Sequence, residues 1–107
     1  MSPKLIAQAI KKAAQSPCRH KISAFGFNKK GELVSTAFNY SRGIFKKGAG
    51  LHAEQIVMME ARRKGVKTIF ICRVNPCGLL LPIEPCEKCK KIAAKLGIKI
   101  ISVDSTN

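Results

Sequence analysis

The chain has no tryptophan, a single tyrosine, and only six acidic residues in 107. No apolar run approaches the roughly 20 residues of a membrane span, and the N-terminus is punctuated by lysine where a secretory signal would carry an apolar stretch. These absences predict a soluble, cytoplasmic protein. Glycine (8) and proline (5) are scarce beside 46% hydrophobic residues, which excludes a disordered basic tail. What is abundant is positive charge: 20 Lys and Arg give a net +14. Residues 1–50 hold ten basic residues against one acid, Glu32, and the rest of the chain ten against five. A polyanionic or phosphorylated partner is expected. The length suits one compact domain, 1–107, with one core.

Five cysteines is an odd count, and Cys86 and Cys89 are spaced C-x-x-C. In a reducing compartment that spacing points to metal or redox chemistry rather than to a disulfide framework. Cys18, Cys72 and Cys77 read as structural or incidental residues, because a free cysteine behaves as a small hydrophobe. Cys77 is near enough to the motif to be weighed as a further ligand. His20, at a strand start, reads as a surface or packing residue.

Leu5, Ile6, Ala9, Ile10, Ala13 and Ala14 recur at helical spacing after Ser2-Pro3, which predicts an amphipathic helix ended by Ser16-Pro17. Ile22 to Phe27 and Leu33 to Phe38 flank the turn-forming Asn28-Lys29-Lys30-Gly31 and predict a hairpin. Residues 39–50 are glycine-rich and basic, a loop expected to lie over a site. A second helix is expected over Leu51 to Lys64, a buried central strand over Thr68 to Cys72, and a third helix opened by Pro85 and closed by Gly97. Cys89, Ile92, Ala93 and Leu96 share one face of that helix. Ile98 to Val103 is a last strand. The order predicts a three-layer α/β/α domain with a mixed sheet of about four strands and right-handed crossovers.

His52-Ala53-Glu54 opens the second helix, and Pro85-Cys86-Glu87-Lys88-Cys89 opens the third. Two crossovers present both motifs at one end of the sheet, where one imidazole and two sulfurs can converge. Three protein ligands, His52, Cys86 and Cys89, with a fourth position left to water form the pattern of a catalytic zinc site. Helix N-termini favour the thiolates that Zn²⁺ requires. Glu54 points differently from His52 at the same helix start. There it would take a proton from the attacking water, then deliver protons to a ring nitrogen and a departing amine.

These residues resemble the zinc-dependent cytidine and deoxycytidylate deaminase superfamily, whose signature is H-x-E with a later P-C-x-x-C. The resemblance covers most of the chain, from the hairpin to the last strand. It implies Zn²⁺ held by His52, Cys86 and Cys89, Glu54 as proton shuttle, and the Ala53 backbone N–H as donor to the base carbonyl. Asn39 looks like the family's nucleoside-contacting Asn. The chain departs from many relatives in ending at Asn107, without their further helix and fifth strand. The open edge this leaves predicts a homo-oligomer. With tryptophan absent, base stacking falls to Phe38, Tyr40, Phe45 or a histidine.

The stretch after the second motif resembles cytidylate-type enzymes, which favours cytosine over adenine. Arg42, Lys46 and Lys47 are the residues expected to contact phosphate. The expected reaction is deamination of cytosine to uracil in a phosphate-bearing substrate. Single-stranded DNA or RNA, single-stranded because a base must leave a duplex to be reached, ranks slightly above a free (deoxy)cytidine nucleotide, since +14 is more charge than one phosphate group needs. A zinc-folded nucleic-acid-binding module without turnover is the reading of another class, and the intact Glu54 argues against it.

Overall fold

The apolar stripe beginning at Leu5 forms helix α1 (Pro3–Ala14) in the computed structural model, which describes residues 3–18, 20–39 and 53–103. Strands β1 (Lys21–Asn28) and β2 (Leu33–Phe38) form the expected antiparallel hairpin. Its turn is organised by Asn28, whose Oδ1 accepts from the backbone N–H of Lys30 (3.0 Å) and of Glu32 (2.9 Å). Helices α2 (Ala53–Met59) and α3 (Ala61–Lys64) lead into β3 (Val66–Val74). The two-residue β4 (Leu80–Leu81), helix α4 (Glu87–Leu96) and β5 (Lys99–Val103) complete the order.

The sheet runs β2-β1-β3, with β3 pairing antiparallel to β4 and parallel to β5. The central strand is thus β3, as its unbroken apolar run predicted. Strand side chains alternate between faces, and this sorts the core into two clusters. On one face Ala24, Ile69 and Ile71 pack with Val57 of α2 and with Cys89 and Ala93 of α4. On the other, Phe25, Phe27, Cys72, Val74 and Val103 pack with Ala9 and Ala13 of α1. Phe27 and Phe70 meet edge to face at 5.4 Å on that side. Ser23 Oγ donates to the Ala9 carbonyl at 2.8 Å and ties α1 down. Three layers result.

Four details differ from the sequence reading. The second helix is interrupted at Glu60, so that α2 and α3 are separate pieces. The sheet has five strands rather than four, and the extra one lies inside the loop expected over Asn75 to Glu84. There Asn75 Oδ1 accepts from the N–H of Cys77 and of Leu79, both at 2.9 Å. That turn sends Leu80 and Leu81 back against Val74 and Arg73. The third helix starts two residues later than expected, at Glu87 rather than Pro85, with Cys86 as its N-cap. Leu96 is 43% exposed and so leaves the buried face that Cys89 and Ala93 define. Among the described residues no helix is long and apolar enough to cross a membrane.

Candidate active site

Three strand ends meet at one edge of the sheet. Register sets Ile22 opposite Arg73, and the Asn39 N–H donates to the Ile22 carbonyl at 3.0 Å just past the end of β2. Beside them the starts of α2 and α4 come together, because both helices pack on the same sheet face. Between these elements lies a cavity of about 400 Å³, within the usual range of small-molecule sites. Glu54, Cys86 and Asn39 line it, with Ile22, Pro82, Ile83 and Glu84, and with His20 and Arg73.

Glu54 is 4% exposed and Cys89 wholly buried. The Cys89 thiol is pushed up to about 12, first by burial, then by the charges of Glu54 and Cys86, to both of which it is hydrogen-bonded. Three groups able to carry negative charge are therefore crowded in a poorly solvated place. A cation among them reverses the penalty, since the charge of a bound metal holds a coordinating thiol as thiolate. Two sulfur donors suit zinc. Among the described residues no three His, Cys, Asp or Glu side chains form a complete metal cage; His52, the expected third ligand, lies outside them.

The sequence reading brought together Glu54, Cys86 and Cys89, and the structure places Cys89 in contact with each of the other two. Ala53 is buried at the first position of α2. Asn39 reaches the cavity, but both its side-chain polar atoms already serve the backbone: Nδ2 donates to the His20 carbonyl (2.6 Å) and Oδ1 accepts from the Ile22 N–H (2.9 Å). Arg42, Lys46 and Lys47, like Tyr40 and Phe45, lie outside the described residues. Phe38 carries Lys12 Nζ 5.3 Å from its ring centre and does not line the cavity. Cys77 is exposed in the turn before β4 and is not a cavity residue.

His20, Arg73 and Glu84 are the polar cavity residues that the sequence reading missed. For Arg73 a signal existed. It is a charge near the carboxyl end of an apolar strand, and the carboxyl ends of strands are where open α/β sheets bind ligands.

The family profile for the cytidine and deoxycytidylate deaminase zinc-binding region matches residues 2–104. The chain belongs to this family. It is a zinc-dependent hydrolase of the cytidine deaminase class, acting on cytosine nucleosides or nucleotides, with Zn²⁺ as cofactor. No curated protein matches its sequence. Among solved structures it is similar to a cytidine deaminase variant from Mycobacterium tuberculosis (17% identity, 100% of this chain and 88% of that one, TM-score 0.69). It is also similar to the cytidine deaminase of Mycobacterium leprae (21% identity, 91% and 83%, TM-score 0.63). A third is the dCMP deaminase of cyanophage S-TIM5 in complex with dCMP and dUMP (18% identity, 95% and 82%, TM-score 0.60). At these identities the likeness is one of fold.

Proposed function

We propose that this enzyme converts cytosine to uracil in a phosphate-bearing nucleotide, with His52, Cys86 and Cys89 holding the zinc and Glu54 moving the protons. The observation that carries this reading is the contact of buried Cys89 with both Glu54 and Cys86, two residues that line a cavity of about 400 Å³. Zinc bound there supplies Lewis-acid activation of the attacking water. Glu54 accepts the proton that water loses on attacking the amidine carbon, and passes it to the neighbouring ring nitrogen. It then moves the remaining hydroxyl proton to the amino group, so that the C–N bond breaks and ammonia and uracil remain. The Ala53 N–H, at the first position of α2, is the donor for the base carbonyl. Asn39 contributes by fixing the backbone at His20 and Ile22, and its remaining donor hydrogen is the one it offers to a nucleoside.

Glu54→Gln is expected to keep about one zinc per chain and to lose turnover by at least about 10²-fold, because an amide holds the place but moves no protons. Uracil formation from dCMP, cytidine and single-stranded oligonucleotides reads the substrate directly. No uracil from any of them would sink the proposal. A cytosine within single-stranded DNA or RNA is the second reading, favoured by the net +14 and by Arg42, Lys46 and Lys47 in the glycine-rich segment.

The unbridged thiols of Cys18, Cys72 and Cys77 support a cytoplasmic setting. Among the described residues the outer edge of β5 has no strand partner, which supports a homo-oligomer. Light scattering that finds only monomer would remove that element of the reading.

A further inference from the structure

Two cavity residues have no part in the proton chemistry above. Arg73 is the next-to-last residue of β3, and its Nη2 lies 2.8 Å from His20 Nδ1. A guanidinium only donates, so Nδ1 is the acceptor, and the neutral ring then carries its proton on Nε2. The pair consequently offers donors alone. Arg73 Nε is buried and has no hydrogen-bond partner among the described residues. A buried polar group left unpaired is an exception that asks for an absent partner.

The geometry is held from behind. Asn39 takes the His20 carbonyl and the Ile22 N–H, while Ser16 Oγ donates to the Asn39 carbonyl at 2.6 Å. Ser16 is itself buried. The backbone that delivers His20 is thus fixed before any ligand arrives, which lowers the ordering cost of binding. The carboxylates of Glu54 and Glu84 share the cavity. An anion therefore gains there by direct contact with the guanidinium fork, not from a general positive field.

We propose that Arg73, positioned by His20, is the specificity residue of this cavity and binds the terminal phosphate monoester of a pyrimidine nucleoside monophosphate. The proposal rests on reading the cavity as the deamination site. A planar fork with a free Nε–H matches two phosphate oxygens at once, and charge-assisted contacts of that kind are the strong ones. The His20 Nε2–H supplies a donor for a third oxygen. A monoester presents three terminal oxygens, whereas the internal diester of a polynucleotide presents two.

The test is calorimetric binding of dUMP and of deoxyuridine to the zinc-loaded protein, which reads recognition without turnover. The wild type should bind dUMP about tenfold or more tightly than deoxyuridine, as charge-assisted hydrogen bonds imply. In Arg73→Gln that ratio should fall to about one. Equal binding of the two ligands by the wild type, or a ratio that survives the substitution, overturns the proposal. If Arg73→Gln does not fold, Arg73→Lys keeps a charge but loses the fork and must still lower the ratio; an unchanged ratio overturns it. A third ligand, a trinucleotide with uridine between two diesters, separates the sources of phosphate. Loss of its binding in Arg73→Gln to the same extent as dUMP would overturn the assignment to a monoester. A wild type that prefers dUMP yet forms no uracil from dCMP would refute the deamination reading and leave the phosphate contact standing.

Discussion

Glu60 interrupts the helix between α2 and α3, and its carboxylate is put to use there. It accepts from Ser35 Oγ on β2 at 2.8 Å and pairs with Arg63 (2.9 Å) and Lys64 (3.2 Å). The Ser35 hydrogen bond first, then Lys64, hold the carboxyl below its ordinary 4.5. A carboxylate with a lowered folded value stabilises the protein at pH above its unfolded value, and that contribution disappears as pH falls through the folded one. The stability difference between wild type and Glu60→Gln should therefore be constant at neutral pH and shrink on acidification below 4.5. Denaturant titrations across that range measure it. A difference independent of pH would mean that the charge of Glu60 contributes nothing. None of this was legible from the sequence, because Ser35 and Glu60 are brought together by the packing of α2 on β2. The same holds for His20 and Arg73. They are 53 positions apart, and only the antiparallel register of β1 on β3 makes them neighbours. Glu54, Cys86 and Cys89 were legible because their chemistry is carried by short local spacings at helix starts.

At the scale of elements, α2 is pressed against β1 at Gly26. A Cβ built at Gly26 would stand 2.7 Å from Val57 Cγ1 and 3.2 Å from Val66 Cγ2. Val57 is wholly buried and its branched side chain has no flexible end to give way. Gly26→Ala should accordingly push α2 off the sheet and cost about 1–3 kcal/mol, the range for an overpacked core. Because α2 carries Ala53 and Glu54 at its start, activity should fall with stability. Val57→Ala removes the clashing carbon, so in the double variant the two losses should sum to less than their separate values. Simple additivity, measured by urea unfolding, would show that the two side chains do not meet. The hairpin, α1, β3, α4 and β5 were all foreseeable from periodicity and punctuation. The break at Glu60 and the short β4 were not, since the first answers to packing and the second to the two hydrogen bonds that Asn75 accepts. Close contact at Gly26 was equally hidden: a glycine within a strand signals a near neighbour, but not which one.

For the molecule as a whole the open quantity is what the charge serves. The described Lys side chains on α1 (Lys4, Lys11, Lys12) and on α4 (Lys88, Lys90, Lys91, Lys95) belong to opposite layers of the sheet. Only Lys90 among them is in an ion pair with an acid, Glu87 at 3.6 Å, and both groups are largely exposed, so that pair contributes little. If a polynucleotide tracks across these faces and the segment with Arg42, Lys46 and Lys47, each neutralised phosphate releases counterions. The logarithm of affinity for a single strand then falls with the logarithm of salt with a slope of about −0.7 per contact. A free nucleotide engages one phosphate group, and its slope should be correspondingly shallow. Neutralising Arg42, Lys46 and Lys47 together should flatten the single-strand slope by about two units and leave the affinity for dUMP, which is assigned to Arg73, nearly unchanged. Fluorescence anisotropy with labelled oligonucleotides and calorimetry with dUMP supply the two measurements. A steep single-strand slope that the triple substitution does not alter would move the nucleic-acid track away from the glycine-rich segment. A shallow slope for both ligands would remove the polynucleotide reading and leave the +14 as a solvated surface.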